Sequence, residues 1–168
     1  AWETPLGSAI SSSPACHDDF IYVANEKGIV FKVERDTGDI KAQSQDLGSI
    51  SYSSPVLYPK DAPQYLLIGT DFKPTGDNEF YALSPDDLSV IRSFSVDRGV
   101  NGSPLAVNDR GTDVVIVGDT AGLYPDPYGS VYAFELETGE KRWQVDEVGT
   151  ERIGRIFSSP VASSDRIF

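Results

Sequence analysis

The chain has 168 residues, 39% hydrophobic and 24% charged, enough for one domain with a buried core. Its net charge of −12 argues against nucleic acid as a partner and leaves a cationic partner, divalent ions or plain solubility. No apolar run approaches the ~18 residues of a membrane-spanning helix, and the single cysteine, Cys16, excludes an internal disulfide and Cys-rich metal sites.

The sequence begins with Ala1 rather than an initiator Met, so a processed or cut start is expected, compatible with a lost targeting segment. A short phrase then returns four times: Ser12-Ser13-Pro14, Ser53-Ser54-Pro55, Gly102-Ser103-Pro104 and Ser158-Ser159-Pro160. After the first come the β-rich runs Phe20–Ala24 and Ile29–Val33, the turn "ERDTGD" and the run "IKAQ". After the second come Tyr65–Gly69, Phe80–Leu83 and "SVIRSF". After the third come Val114–Gly118, Val131–Phe134, the turn "ELETGE" and "EKRWQV"; after the fourth, "DRIF" ends at Phe168. These runs are short, β-branched and aromatic, and bounded by Gly, Pro, Asp and Asn, as strands are. No stretch has a helical period.

Four short strands per repeat predict the blades of a β-propeller, in which neighbouring sheets cover each other's faces. The run "VVIVG" is apolar throughout, as a strand covered on both faces should be. The fold class is therefore all-β, with four-stranded antiparallel blades in a partial arc of about three and a half. The expected layout of this single partial domain is residues 1–9 as the end of a preceding blade, blades at 10–45, 49–96 and 99–148, and the start of another at 155–168. Each Ser-Ser-Pro phrase marks the innermost strand, where small side chains relieve crowding at the axis. An arc of this size predicts a segment of a longer chain, or completion by another chain.

The stretch "YAFELETGEKRW" resembles the tryptophan-docking motif of the quinoprotein-type (PQQ-like) β-propeller family, Ala-x-Asp-x-x-Thr-Gly-x-x-x-Trp. Ala133, Thr138, Gly139 and Trp143 match, and Glu135 stands in place of Asp. The first blade keeps Thr37 and Gly38, with Lys32 for the Ala, Glu34 for the Asp and Ala42 for the Trp; the second keeps only Ala82. Trp2 falls where the docking Trp of a preceding blade would lie. The family's enzymes oxidise alcohols or sugars with a bound quinone and Ca²⁺. In the alcohol-oxidising members the resemblance would require adjacent cysteines, an aromatic floor, an Asp base and carboxylate or amide metal ligands. Here one Cys is present and both Trp residues read as structural, so no catalytic, cofactor-binding or metal-binding residue is assigned. PQQ and calcium belong only to the alternative reading, part of a quinone-dependent dehydrogenase.

Loop length singles out one face. The loop between the second and third strands is "NEKG" in the first blade, "TDFKPTGDNE" in the second and "DTAGLYPDPYGS" in the third. Long loops on a rigid scaffold are where binding concentrates. Phe72, Tyr124 and Tyr128 are the expected aromatic anchors for a partner, and Asp71, Asp77, Asp119 and Asp126 the expected polar rim that steers a basic one. These carboxylates match no calcium-binding spacing. His17, the only histidine, lies in the turn "CHDD" with no glycine-flanked nucleophile nearby, and reads as a turn residue. The expectation is a non-catalytic scaffold or accessory subunit that binds another protein, peripheral to a membrane assembly. Its compartment would be exported or lumenal: periplasm, endoplasmic-reticulum lumen or thylakoid lumen.

Overall fold

The computed structural model describes residues 1–71, 77–120, 128–163 and 166–168. The first sheet holds β1 (Ala15–His17), β2 (Phe20–Ala24), β3 (Val30–Glu34) and β4 (Ile40–Gln43) in that order. The second holds β5 (Val56–Tyr58), β6 (Tyr65–Gly69), β7 (Asn78–Leu83) and β8 (Val90–Val96). The third holds β9 (Leu105–Asp109), β10 (Thr112–Gly118), β11 (Val131–Glu135) and β12 (Lys141–Val145). All neighbours within these sheets run antiparallel. Two short pairs follow: β13 (Glu147–Val148) with β14 (Glu151–Arg152), a hairpin not foreseen from the sequence, and β15 (Ala162–Ser163) with β16 (Arg166–Ile167). No helix occurs among the described residues. This is the expected all-β architecture of a partial propeller.

The alternation of side chains along a strand explains why whole strands are apolar. Leu66 and Ile68 of β6 pack toward the first sheet, with Tyr22, Ala24, Val30, Leu47 and Ile50. Leu67, between them, packs toward the third, with Val115, Val117, Tyr132 and Phe134. Each face of the middle sheet thus has its own seam, and all three β6 side chains are fully buried.

Each seam is also fastened by one long side chain that donates to a backbone carbonyl in the next sheet's outer turn. Trp2 Nε1 donates to the Arg35 carbonyl at 2.8 Å, and its indole lies against Gly38, where a Cβ would come within 2.5 Å of the ring. Arg92 donates to the Glu137 carbonyl at 2.7 Å, its stem against Gly139. Between the first and second sheets the donor is Lys32, whose Nζ reaches the Asp86 carbonyl at 3.2 Å and sits 4.2 Å above the Phe20 ring. Lys32 pairs across the strands with Ala42, so a long residue faces the small one. Lys32→Ala is expected to cost about 2 kcal/mol in urea unfolding, through lost packing and a lost hydrogen bond. Adding Ala42→Trp should recover most of that; no recovery would show that the two positions do not share one slot.

At the inner ends, the serine preceding each proline forms a relay. Ser13 N–H donates to Ser54 Oγ at 3.0 Å, Ser54 N–H to Ser103 Oγ at 2.9 Å, and Ser103 N–H to Ser159 Oγ at 2.8 Å. The repeated phrase therefore lies just before the innermost strands rather than within them: β1, β5 and β9 begin at the residue after Pro14, Pro55 and Pro104. The serine is there to accept a hydrogen bond as well as to be small.

Candidate functional site

The connections leaving β2, β6 and β10, and those entering β1, β5 and β9, share one face. They are tied by backbone bonds: Glu26 N–H to Ala9 O at 2.9 Å, Asp71 N–H to Ser49 O at 2.8 Å and Thr120 N–H to Gly99 O at 2.8 Å. Asp71 adds side-chain bonds, accepting on Oδ2 from the Ser49 and Ser51 hydroxyls at 2.7 and 2.6 Å and on Oδ1 from Ser51 N–H at 3.2 Å. Its carboxylate is taken up in shaping the connection before the second sheet. Asp77 is exposed.

Tyr128 is half-buried, bridges to Gly154, and lies under the Arg152 guanidinium, 4.2 Å from ring centroid to Cζ. That contact docks the β13–β14 hairpin onto the end of the third blade's long loop. Phe72, Tyr124 and Asp126 lie outside the described residues.

Asp119 departs from the expected polar rim. It has no solvent exposure, because Ser130, Tyr132 and the connection from the second sheet close over it. Oδ1 accepts from Ser130 N–H at 2.7 Å and Oδ2 from the Tyr132 hydroxyl at 2.9 Å. Burial pushes its carboxyl above the ordinary aspartate value, opposed by these two bonds and by the charge of Arg98.

The same face exposes apolar side chains that lie outside the two long loops. Tyr52 is 64% exposed, Phe157 56% and Val148, in the hairpin, 71%. Tyr52 and Phe157 each stand three residues before the proline of the repeated phrase, where the other repeats carry Ser11 and Asn101. Their shared position relative to the proline is the signal in the sequence that marks them.

The docking-motif residues build the outer turn of the third sheet. Ala133 is fully buried and pairs with Trp143. Thr138 Oγ1 donates to Glu135 at 2.9 Å and accepts from Glu140 N–H at 3.2 Å, and Gly139 takes φ +79°. Glu34, Thr37 and Gly38 repeat this pattern in the first sheet, with a 2.7 Å bond from Thr37 to Glu34. Glu therefore serves in this turn where the motif has Asp. Trp143 remains 39% exposed and lines a groove of about 310 Å³ with Val145, Ile156, Ile167 and Phe168.

On the opposite face, a cleft of about 440 Å³ between the first two sheets is lined by His17, Asp18, Tyr22, Lys32, Gln64 and Asp86. The Tyr22 hydroxyl donates to the Pro85 carbonyl at 3.1 Å and Lys32 to that of Asp86, so both serve the seam. His17 Nε2 lies 3.4 Å from Asp18. Among the described residues no three His, Cys, Asp or Glu side chains come together as a metal site. Cys16 is exposed and stands alone in β1, and the two indoles lie at the outer ends of blades, so the described residues do not assemble the donor and aromatic set a quinone with Ca²⁺ calls for.

The family model described as outer membrane protein assembly factor BamB matches residues 1–168. No curated protein sequence matches the chain. Among solved structures, the chain is similar to BamB from Moraxella catarrhalis, at 15% identity and a TM-score of 0.68, over 98% of this chain and 46% of that one. It is similar to the computationally designed Ika4 protein, at 10% identity and 0.68, over 97% and 85%. It is also similar to quinohemoprotein alcohol dehydrogenase from Comamonas testosteroni, at 18% identity and 0.63, over 82% and 21%. The likeness at these identities is one of fold. The chain spans about half the length of the Moraxella protein and about a fifth of the dehydrogenase.

Proposed function

The chain belongs to the family of the outer membrane protein assembly factor BamB, and from that premise we propose that it is a non-catalytic propeller scaffold, an accessory subunit binding another protein in a membrane-associated assembly. The observation that carries this reading is the division of labour on the long-loop face. There the polar group of Asp71 is consumed internally, while Tyr52, Phe157 and Val148 face solvent. Large exposed apolar patches rimmed by polar residues mark protein-binding surfaces. Asp77, Glu147 and Glu151 are also exposed and would steer a basic partner. The description of the family as an outer-membrane assembly factor favours the periplasm over the two lumenal compartments.

A photo-cross-linking residue placed at Tyr52 or Phe157 in the complete protein should yield discrete adducts in cells. The same residue at Asp18, on the opposite face, should not. Tyr52→Ala with Phe157→Ala should weaken capture of the adduct partner about tenfold, or ~1.4 kcal/mol, with unchanged thermal stability. Equal adducts from both faces would misplace the site.

The fold likeness to a quinohemoprotein alcohol dehydrogenase supplies the second reading, a piece of a quinone-dependent dehydrogenase. Dye-linked alcohol oxidation by the complete protein, dependent on added PQQ and Ca²⁺, would overturn the scaffold reading.

A further inference from the structure

The slot after the second strand of each sheet is neutral in two blades and acidic in the third. In the first, Asn25 Oδ1 accepts from Ile29 N–H at 3.0 Å and its Nδ2 donates to the Leu6 carbonyl at 2.7 Å. In the second, Thr70 Oγ1 donates to the Glu79 carbonyl at 2.6 Å. In the third the slot holds the fully buried Asp119. Its partner Tyr132 extends the cluster: the phenol oxygen accepts from Asp97 N–H at 3.2 Å and from Gln144 Nε2 at 3.5 Å, and that amide also donates to Asp97 Oδ2 at 3.0 Å. Beside it, Thr120 N–H reaches the Gly99 carbonyl. One acid therefore sits where β10, β11 and β12 meet the connection arriving from the second sheet. The charged and titratable groups facing the cluster are Arg98, which favours the ionised acid, Asp97, which opposes it, Tyr132, and Lys141, whose Nζ lies 5.7 Å from the Tyr132 ring.

We propose that Asp119 is a proton-responsive joint between the second and third blades, its ionisation setting the direction of the hydrogen bonds that run through Tyr132 to the connection carrying Asp97. When Asp119 is ionised, Tyr132 donates to it and accepts from Asp97 N–H. A proton taken from solvent onto Oδ2 reverses the first bond, because the carboxylic acid must then donate. The Tyr132 oxygen would then accept from both Asp119 and Asp97, and its own hydrogen must turn toward the Ser130 hydroxyl, which also bonds the phenol, or toward the Gln144 amide. That amide presents its nitrogen there, since its Oε1 accepts from Lys141 at 2.7 Å. Proton uptake therefore rearranges the hydrogen bonds at the contact between two blades. This joint rests on the seam geometry and does not depend on the partner-binding reading.

Burial raises the carboxyl in the folded state, so the folded chain holds this proton more tightly than the unfolded one. The contribution of Asp119 to stability must therefore fall as pH rises from the ordinary value of 3.8 through the raised one. In the wild-type chain, ¹³C NMR of the Asp119 carboxyl should give a midpoint above 3.8. The Ser130 and Asp97 amide protons should shift with that midpoint. A midpoint at or below the ordinary value, or amides that stay still through the titration, overturns the proposal. Asp119→Asn, which places in the slot the residue found at Asn25, should abolish the coupled amide shifts. Its unfolding midpoint relative to wild type should climb with pH across the same window. A pH-independent difference between the two would also overturn the proposal.

Discussion

Phe80→Ala is expected to destabilise the protein by about 3–5 kcal/mol, the range for truncating a fully buried phenylalanine. Phe80 has no solvent exposure and stacks on Phe94 with centroids 4.5 Å apart and planes 6° from parallel. Both rings meet the edge of Phe134 from the third sheet, at 5.5 and 5.4 Å, and Phe134 in turn stacks on Tyr132 at 5.9 Å. Two blades thus interlock through one aromatic cluster, whose pairwise geometry adds to area burial. Removing Phe80 opens a void that Phe94 and Phe134 can only partly refill, since each is held by its own strand. Urea unfolding followed by tryptophan fluorescence measures the cost. A loss below about 1 kcal/mol, far under the usual range, would mean that this cluster is not the principal tie between the blades.

Gly28→Ala should be comparably severe, about 3 kcal/mol or more, and for two separable reasons. Gly28 takes φ +83°, where an L side chain costs roughly 1–2 kcal/mol. A Cβ there would also lie 2.0 Å from the Gly48 carbonyl oxygen and 2.6 Å from its carbon. Neither can withdraw easily, because Leu47 N–H is bonded to the Gly28 carbonyl at 3.0 Å. Overpacking adds about 1–3 kcal/mol. Gly111 is the control. Its φ is +93°, yet nothing lies within 4 Å of a Cβ placed there, so Gly111→Ala should show the backbone cost alone, about 1–2 kcal/mol. Equal losses at the two positions in parallel unfolding curves would remove the steric contribution at Gly28.

The sequence displayed the blades because they rest on local features: β-branched runs, Gly and Pro boundaries, and a phrase recurring at 41, 49 and 56 residues. It displayed Trp2 as a docking residue because indole is rare enough to mark its slot. Lys32 and Arg92 do the same work between other blades, but a lysine and an arginine in a strand carry no such mark. Their role is visible only when the carbonyls of Asp86 and Glu137 are brought opposite them. The burial of Asp119 is hidden in the sequence for a related reason. The apolar run ends at Gly118, so the next residue read as loop, whereas its burial is decided by Tyr132 and Asp97, which lie 13 and 22 positions away in the chain. Tyr52 and Phe157 lie outside the long loops and are marked only by their position in the repeat.

The serine relay has a sense of rotation. Each bond runs from an N–H on the earlier blade to a hydroxyl on the later one, so the two sides of every blade are chemically unlike at the axis. Two such units brought together by a two-fold rotation would oppose like sides, hydroxyl to hydroxyl or amide to amide, and leave the inner bond unmade. Units related head to tail meet donor to acceptor, as neighbouring blades already do. Contacts of that heterologous kind generate rings when the rotation closes. A single duplicated blade therefore arrives with both halves of its axial junction already compatible with its copy, and lengthening such an arc needs no new chemistry at its centre.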